Sequence, residues 1–166
     1  GVDGDHPWHQ MERGEITLED ARQKIMSLGE AKGFEADIYA VFASMGSTGG
    51  VKEKLADFAA TLRPNGFTTA CVTNNVKEFG EGWRNLIPTA EIFNRIIDSC
   101  EEGVRKPEPE IFQIALERTG VKPDEVLFLD DFEGNLEAAK VLGIDGIFVT
   151  PDEEKTISDL KQALKL

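Results

Sequence analysis

Apolar residues recur along the chain at two different periods, and the point where one gives way to the other divides it. Leu18, Ala21, Ile25 and Leu28 follow helical spacing behind Thr17-Leu18-Glu19-Asp20, a hydroxyl N-cap with acids in the first turn. Gly29 and Gly33 close that stretch. A second short helix is predicted over Asp37 to Met45, with Ile38, Val41, Phe42 and Met45 on one face. Ser47-Thr48-Gly49-Gly50 reads as a flexible joint, so the chain divides into a helical segment, 1–46, and a larger unit, 47–166.

Beyond the joint, short β-rich runs alternate with amphipathic stretches. Val51 to Leu62 is predicted as a helix stopped by Arg63-Pro64-Asn65-Gly66, and Phe67 to Thr73 as a buried strand. A helical stretch around Phe79 to Ile87 is interrupted by Pro88, and Ile96 to Cys100 forms a weaker strand. Pro109 opens a helix that runs to Arg118 and ends at Gly120. Val126 to Leu129 is a buried strand, Asn135 to Leu142 a helix closed by Gly143, Gly146 to Val149 a strand, and Ile157 to Leu164 a final helix. Strands separated by helices imply an α/β fold: a Rossmann-like parallel sheet flanked by helices, joined by right-handed crossovers.

Composition narrows the function. With 40% hydrophobic and 30% charged residues, the 166-residue chain can build a core. It contains no apolar run near the ~20 residues that span a bilayer, and Gly1 to Gln10 is polar. The net charge of −13 repels nucleic acid and anionic lipid. Neither nucleic acid nor membrane is an expected partner, and an anionic substrate would need a metal or a placed lysine. Cys71 and Cys100 are too few for a disulfide framework. Both read as buried small hydrophobes in strands, in a reducing, cytoplasmic setting.

In parallel α/β sheets ligands bind beyond the carboxyl ends of the strands. The first strand ends in Thr73-Asn74-Asn75, which can donate to an anionic oxygen or simply form a turn or cap. The strand Val126 to Leu129 ends in Asp130-Asp131. Two adjacent carboxylates after an apolar strand repel each other, and a cation removes that cost. Magnesium suits them, because it takes one or two carboxylates together with phosphate and water. Gly134 and Asn135 begin the next helix, whose N-terminus adds amide donors. Between these ends lies Arg105-Lys106-Pro107-Glu108-Pro109. Lys106 is either a solvated surface charge or, with prolines stiffening its segment, an ammonium held against a carboxylate–phosphate cluster.

Taken in order, these segments resemble the motifs of the haloacid dehalogenase (HAD)-like hydrolases. FTTACVTNN (67–75) resembles the family's second motif, EEGVRKPEPEIF (101–112) the third and VLFLDDFEGNLEAAKVLGI (126–144) the fourth. RGEITLEDA (13–21) is similar to the helical cap inserted between core strands. Within the family, the chain resembles the phosphatase domain of soluble epoxide hydrolases and the related domains attached to some acyl-CoA dehydrogenases. The resemblance implies a HAD-like core with a small N-terminal cap. Thr73 would bond the phosphoryl group with Asn74 beside it, and Lys106 would steady its charge. Asp131 would ligate magnesium, Asp130 would ligate it or orient the site, and Asn135 would stand behind them.

The family's first motif, Asp-x-Asp-x-Thr or Val at the end of a central strand, has no counterpart in such a setting. Asp3-Gly4-Asp5 has the spacing, but only Gly1-Val2 precede it and His6-Pro7 follow. The nucleophile and the adjacent acid are therefore expected from residues preceding Gly1. Their strand would lie between Phe67–Thr73 and Val126–Leu129, where unpaired backbone groups would each cost ~1–3 kcal/mol.

The implied function is a magnesium-dependent phosphatase of a small phosphorylated metabolite or lipid, working through an aspartyl-phosphate and inactive as written, as monomer or homodimer. A haloacid dehalogenase and a non-catalytic binding module are the rivals, and the paired acids favour the phosphatase. His6, His9 and Glu12 have metal-like spacing only if helical. Trp8, Phe34, Tyr39 and Phe42 are candidates for packing in the helical segment or for lining a substrate entrance.

Overall fold

A computed structural model describes residues 6–48, 52–80 and 82–166. The helical segment comprises α1 (Pro7–Glu12), α2 (Leu18–Lys32) and α3 (Ile38–Thr48). Thr17 caps α2 as its sequence predicts: the hydroxyl accepts from the Asp20 amide, and the Asp20 carboxylate accepts from the Thr17 amide. Gly33 ends the helix at φ +81°, a left-handed conformation that glycine adopts without strain. Met11, Leu18, Ala21 and Ile38 form its core with Val76 from the larger unit, and Trp8, Ile25 and Phe42 pack around them. Leu28 and Val41 share the predicted apolar stripes but point outward, at 43% and 46% exposure. The helices bury only part of those stripes. Two hydrogen bonds also tie the segment to the loop after the first strand: Lys77 Nζ to the Gly14 carbonyl at 2.9 Å and the Leu18 amide to Glu78 at 2.7 Å.

The larger unit runs α4 (Glu53–Leu62), β1 (Ala70–Thr73), α5 (Thr89–Ile92), β2 (Arg95–Asp98), α6 (Ser99–Glu102), α7 (Pro109–Thr119), β3 (Leu127–Asp130), α8 (Glu133–Val141), β4 (Asp145–Phe148) and α9 (Glu153–Leu164). The strands are parallel, as the alternation predicts, and they form two separate pairs, as expected for strands that would flank a further one. In β1–β2, Ala70 faces Arg95 and Thr73 faces Asp98; in β3–β4, Leu127 faces Asp145 and Asp130 faces Phe148. Among the described residues no ladder joins β1 to β3. A single apolar core nevertheless spans both pairs. Ile97, Ile111, Phe112, Ala139 and Ile144 are its buried centre, with Ala70 and Val72 from one pair and Phe128 from the other packed against it. The rings of Phe112 and Phe128 meet edge to face at 5.3 Å.

Several elements differ from the expectation for physical reasons. The run from Phe67 becomes strand only at Ala70, because the Thr69 hydroxyl donates to the Ile92 carbonyl and its amide to Asn94. β1 and β3 are half-buried over most of their length rather than buried, as suits strands that each lack a neighbour on one side. Cys100 does not lie in a strand: the Asp98 carboxylate accepts from its amide and caps α6 instead. Cys71 does lie in β1, half-buried. The stretch from Phe79 to Ile87 is not one helix but short 3₁₀ turns over Lys77–Phe79 and Gly82–Asn85, and Pro88 precedes α5 rather than breaking a helix.

Candidate active site

Lys106 joins the carboxyl ends of the two strand pairs. Thr73 is the half-buried last residue of β1, and Asn74 follows it. The Asn74 amide grips the Lys106 backbone from both sides: Nδ2 donates to the Lys106 carbonyl at 2.9 Å, and the Lys106 amide donates to Oδ1 at 2.8 Å. Both polar ends of Asn74 are thus engaged in holding the lysine. The peptide bond from Lys106 to Pro107 is cis.

The Lys106 side chain then crosses to β3. Its Nζ donates to Asp130 Oδ2 at 2.7 Å and stands 5.5 Å from the centre of the Phe128 ring. The ammonium and carboxylate side chains are 13% and 5% exposed, so each needs the other. The second Asp130 oxygen accepts from the Phe132 amide at 2.8 Å and from Asn135 Nδ2 at 3.0 Å. Asn135 is itself buried at the start of α8. Asp131 is exposed and carries no ion pair or hydrogen bond among the described residues. Lys106, Asn74, Asp130 and Asn135 therefore form one connected cluster. Thr73 and Asp131 adjoin it in sequence without bonding to it.

A further polar cluster at the end of β2 escaped the sequence reading. Asp98, 2% exposed, accepts from Asn75 Nδ2 at 2.9 Å, and the Ser99 hydroxyl accepts from the Asn75 amide at 2.9 Å. The signal was available: Asp98 follows an apolar strand as Asp130 does. Beside it opens a cleft of about 430 Å³ lined by Asn75, Lys77, Asp98, Cys100 and Glu101. Burial pushes the Cys100 thiol up to about 12, reinforced by its hydrogen bond to Asp98, and burial lifts Cys71 to about 11.

His6 and His9 stand with ring centres 5.7 Å apart, and the Glu12 carboxylate is bound to Arg105. Among the described residues no three His, Cys, Asp or Glu side chains gather as a metal site. Trp8 and Phe42 pack together at 5.6 Å, whereas Phe34 and Tyr39 are exposed, Tyr39 beneath the Arg22 guanidinium at 4.7 Å. Asp3-Gly4-Asp5 and Gly49-Gly50 lie outside the described residues. Among the described residues no helix is long and apolar enough to cross a membrane.

Comparison with known proteins agrees with this architecture. Bifunctional epoxide hydrolase 2 of Rattus norvegicus is 31% identical over 156 residues, covering 86% of this chain but 28% of that protein. The chain thus spans under a third of that relative. Sesquiterpene phosphatase astK of Aspergillus oryzae is 28% identical over 157 residues, covering 93% of this chain and 78% of the relative. A HAD family enzyme of Bacteroides thetaiotaomicron, solved with magnesium and inorganic phosphate, superimposes with a TM-score of 0.66 at 25% identity, covering 90% of this chain and 77% of that one. The family described as haloacid dehalogenase-like hydrolase matches residues 4–143. With its parallel strand pairs, flanking helices and strand-end lysine–aspartate cluster, the chain belongs to the haloacid dehalogenase-like hydrolases.

Proposed function

We propose that the protein is a magnesium-dependent phosphatase of a small phosphorylated metabolite or lipid. The observation that carries this reading is the Lys106–Asp130 contact at 2.7 Å beyond the carboxyl end of β3. There, a rigidly held ammonium and a carboxylate stand where a parallel α/β fold binds its ligands. Thr73 bonds the phosphoryl oxygens with Asn74 beside it, and Asn74 also fixes the lysine backbone. Asp131 and Asp130 would hold the metal, with Asn135 orienting Asp130. These hard oxygen donors fit magnesium, which completes its shell with water and phosphate and neutralises charge on the transferring group. The relatives support the chemistry: one is a phosphatase by name, and another was solved with magnesium and phosphate.

In this reading an aspartate carboxylate attacks phosphorus, the ester P–O bond breaks, and the leaving oxygen takes a proton from a neighbouring acid. Water then attacks the aspartyl-phosphate, the P–O bond to aspartate breaks, and inorganic phosphate departs. Among the described residues Asp130 is the one carboxylate on Lys106, and its oxygens are already engaged. We therefore assign the nucleophile to an N-terminal strand lying between β1 and β3. That same observation favours the second reading, a non-catalytic module that binds a phosphorylated ligand.

Hydrolysis of p-nitrophenyl phosphate, with and without magnesium, separates these readings. The assay compares the chain with a version extended by an apolar strand ending in Asp-x-Asp. Turnover only in the extended form supports the phosphatase. Turnover in neither, with inorganic phosphate still bound, supports the module. Turnover by the short chain alone would refute the assignment of the nucleophile.

A further inference from the structure

Lys106 lies between two charged residues of its own segment, and α1 holds both. Arg105 Nε donates to Glu12 Oε2 at 2.6 Å, with the two side chains 13% and 10% exposed. Arg13, which follows α1, donates to Glu108 Oε1 at 3.1 Å. Two consecutive residues, an acid and a base, thus meet a base and an acid three positions apart, with Lys106 between them. The segment is also closed on itself: the Arg105 amide donates to Glu108 Oε2 at 3.1 Å, and the Glu108 amide to the Arg105 carbonyl at 2.7 Å. A second route runs through the backbone. The Ser99 hydroxyl donates to the Glu12 carbonyl at 2.6 Å and accepts from the Asn75 amide, next to the Asn74 clamp on Lys106.

We infer that Glu12 and Arg13 are positioning residues: through the crossed pairs Glu12–Arg105 and Arg13–Glu108, the first helix sets where the Lys106 ammonium stands against Asp130. The physics is that of partly buried ion pairs. The Glu12–Arg105 pair gives little net stability but excludes other geometries, because a slip leaves both charges unpaired out of water. Arg13 also pairs with Glu15 at 2.6 Å and Glu108 is partly exposed, so the second pair is the looser restraint. Two pairs of opposite polarity fix the segment against sliding and rotation, which one pair would not. They also make the lysine's position depend on whether the helical segment is docked. The inference deepens the phosphatase reading only in what Lys106 serves.

The test uses the full chain and needs no turnover, so it and the phosphatase reading fail separately. Lysines are trace-labelled with acetic anhydride and quantified by mass spectrometry in wild type, Glu12→Gln and Glu108→Gln. Lys52, half-buried and bonded to the Thr150 carbonyl at 3.3 Å, is the internal control. Labelling of Lys106 rises about three- to tenfold in the variants while Lys52 is unchanged. Exchanging the charges, Glu12→Arg with Arg105→Glu, brings Lys106 back toward its wild-type rate. Unchanged Lys106 labelling in the folded variants, or an equal rise at Lys52, would overturn the inference. If Glu12→Gln does not fold, Glu108→Gln, whose pair is the more exposed, carries the same two outcomes alone.

Discussion

Individual residues in this protein are held by partners they cannot lose cheaply. Asp130 is 5% exposed at its side chain and has one cation on it. Replacing Lys106 with methionine removes that cation and leaves a buried carboxylate, at a cost of about 3–5 kcal/mol. Urea unfolding measures the loss, and adding Asp130→Asn recovers much of it. Gly14 illustrates a tighter limit. It sits at φ +68°, and a Cβ there would lie 2.6 Å from the Cys100 carbonyl oxygen, a backbone atom that cannot swing away. Gly14→Ala is expected to destabilise by at least ~1 kcal/mol from backbone strain, before the clash is added. The cysteines yield a pH prediction. Folding raises Cys71 to about 11 and Cys100 to about 12, so their contribution is whole at neutral pH and is lost as pH climbs through the alkaline range. Iodoacetamide at pH 8 should react slowly with both in the folded protein and quickly in urea; fast native labelling would contradict the assignment. At this scale Lys106 and Asp130 were legible because strand ends and prolines marked them. Glu12 and Arg105 were not, since each owes its meaning to a partner 93 positions away.

At the scale of elements, legibility followed the caps. Thr17 with Asp20, Pro109 and Gly120 announce where α2 and α7 begin or end, and the structure agrees at each. Thr17→Ala removes the hydroxyl that accepts from the Asp20 amide and should cost about 1 kcal/mol, read as a lowered thermal midpoint. Strand ends were less legible, because side chains rather than propensity decide them. Thr69 and Asn94 tie the approach to β1, and Asp98 turns the end of β2 into α6. Asp98 performs at β2 a capping task that apolar patterning alone would not reveal.

For the whole molecule, the parallel α/β class followed from the alternation of strands and helices, while the division into two strand pairs followed only from the family resemblance, which put a further strand between Phe67–Thr73 and Val126–Leu129. Periodicity carries no record of which edges meet. That division has a measurable consequence in this chain. Successive amides of a strand point to opposite sides, so alternate amides of Ala70–Thr73 and Leu127–Asp130 have no strand on one side among the described residues. Hydrogen exchange should find alternate amides fast in both strands, while Ala115 and Leu116, in the middle of α7 and packed against the core, exchange slowly. Uniform protection along both strands would mean that something else pairs with them.

The crossed pairs on α1 also bear on how the chain comes together in time. During synthesis Glu12 and Arg13 leave the ribosome long before Arg105 and Glu108, which lie 93 and 95 positions further on. Contacts of such long range close late. Substitutions at Glu12 should then hasten unfolding while leaving the refolding rate nearly unchanged.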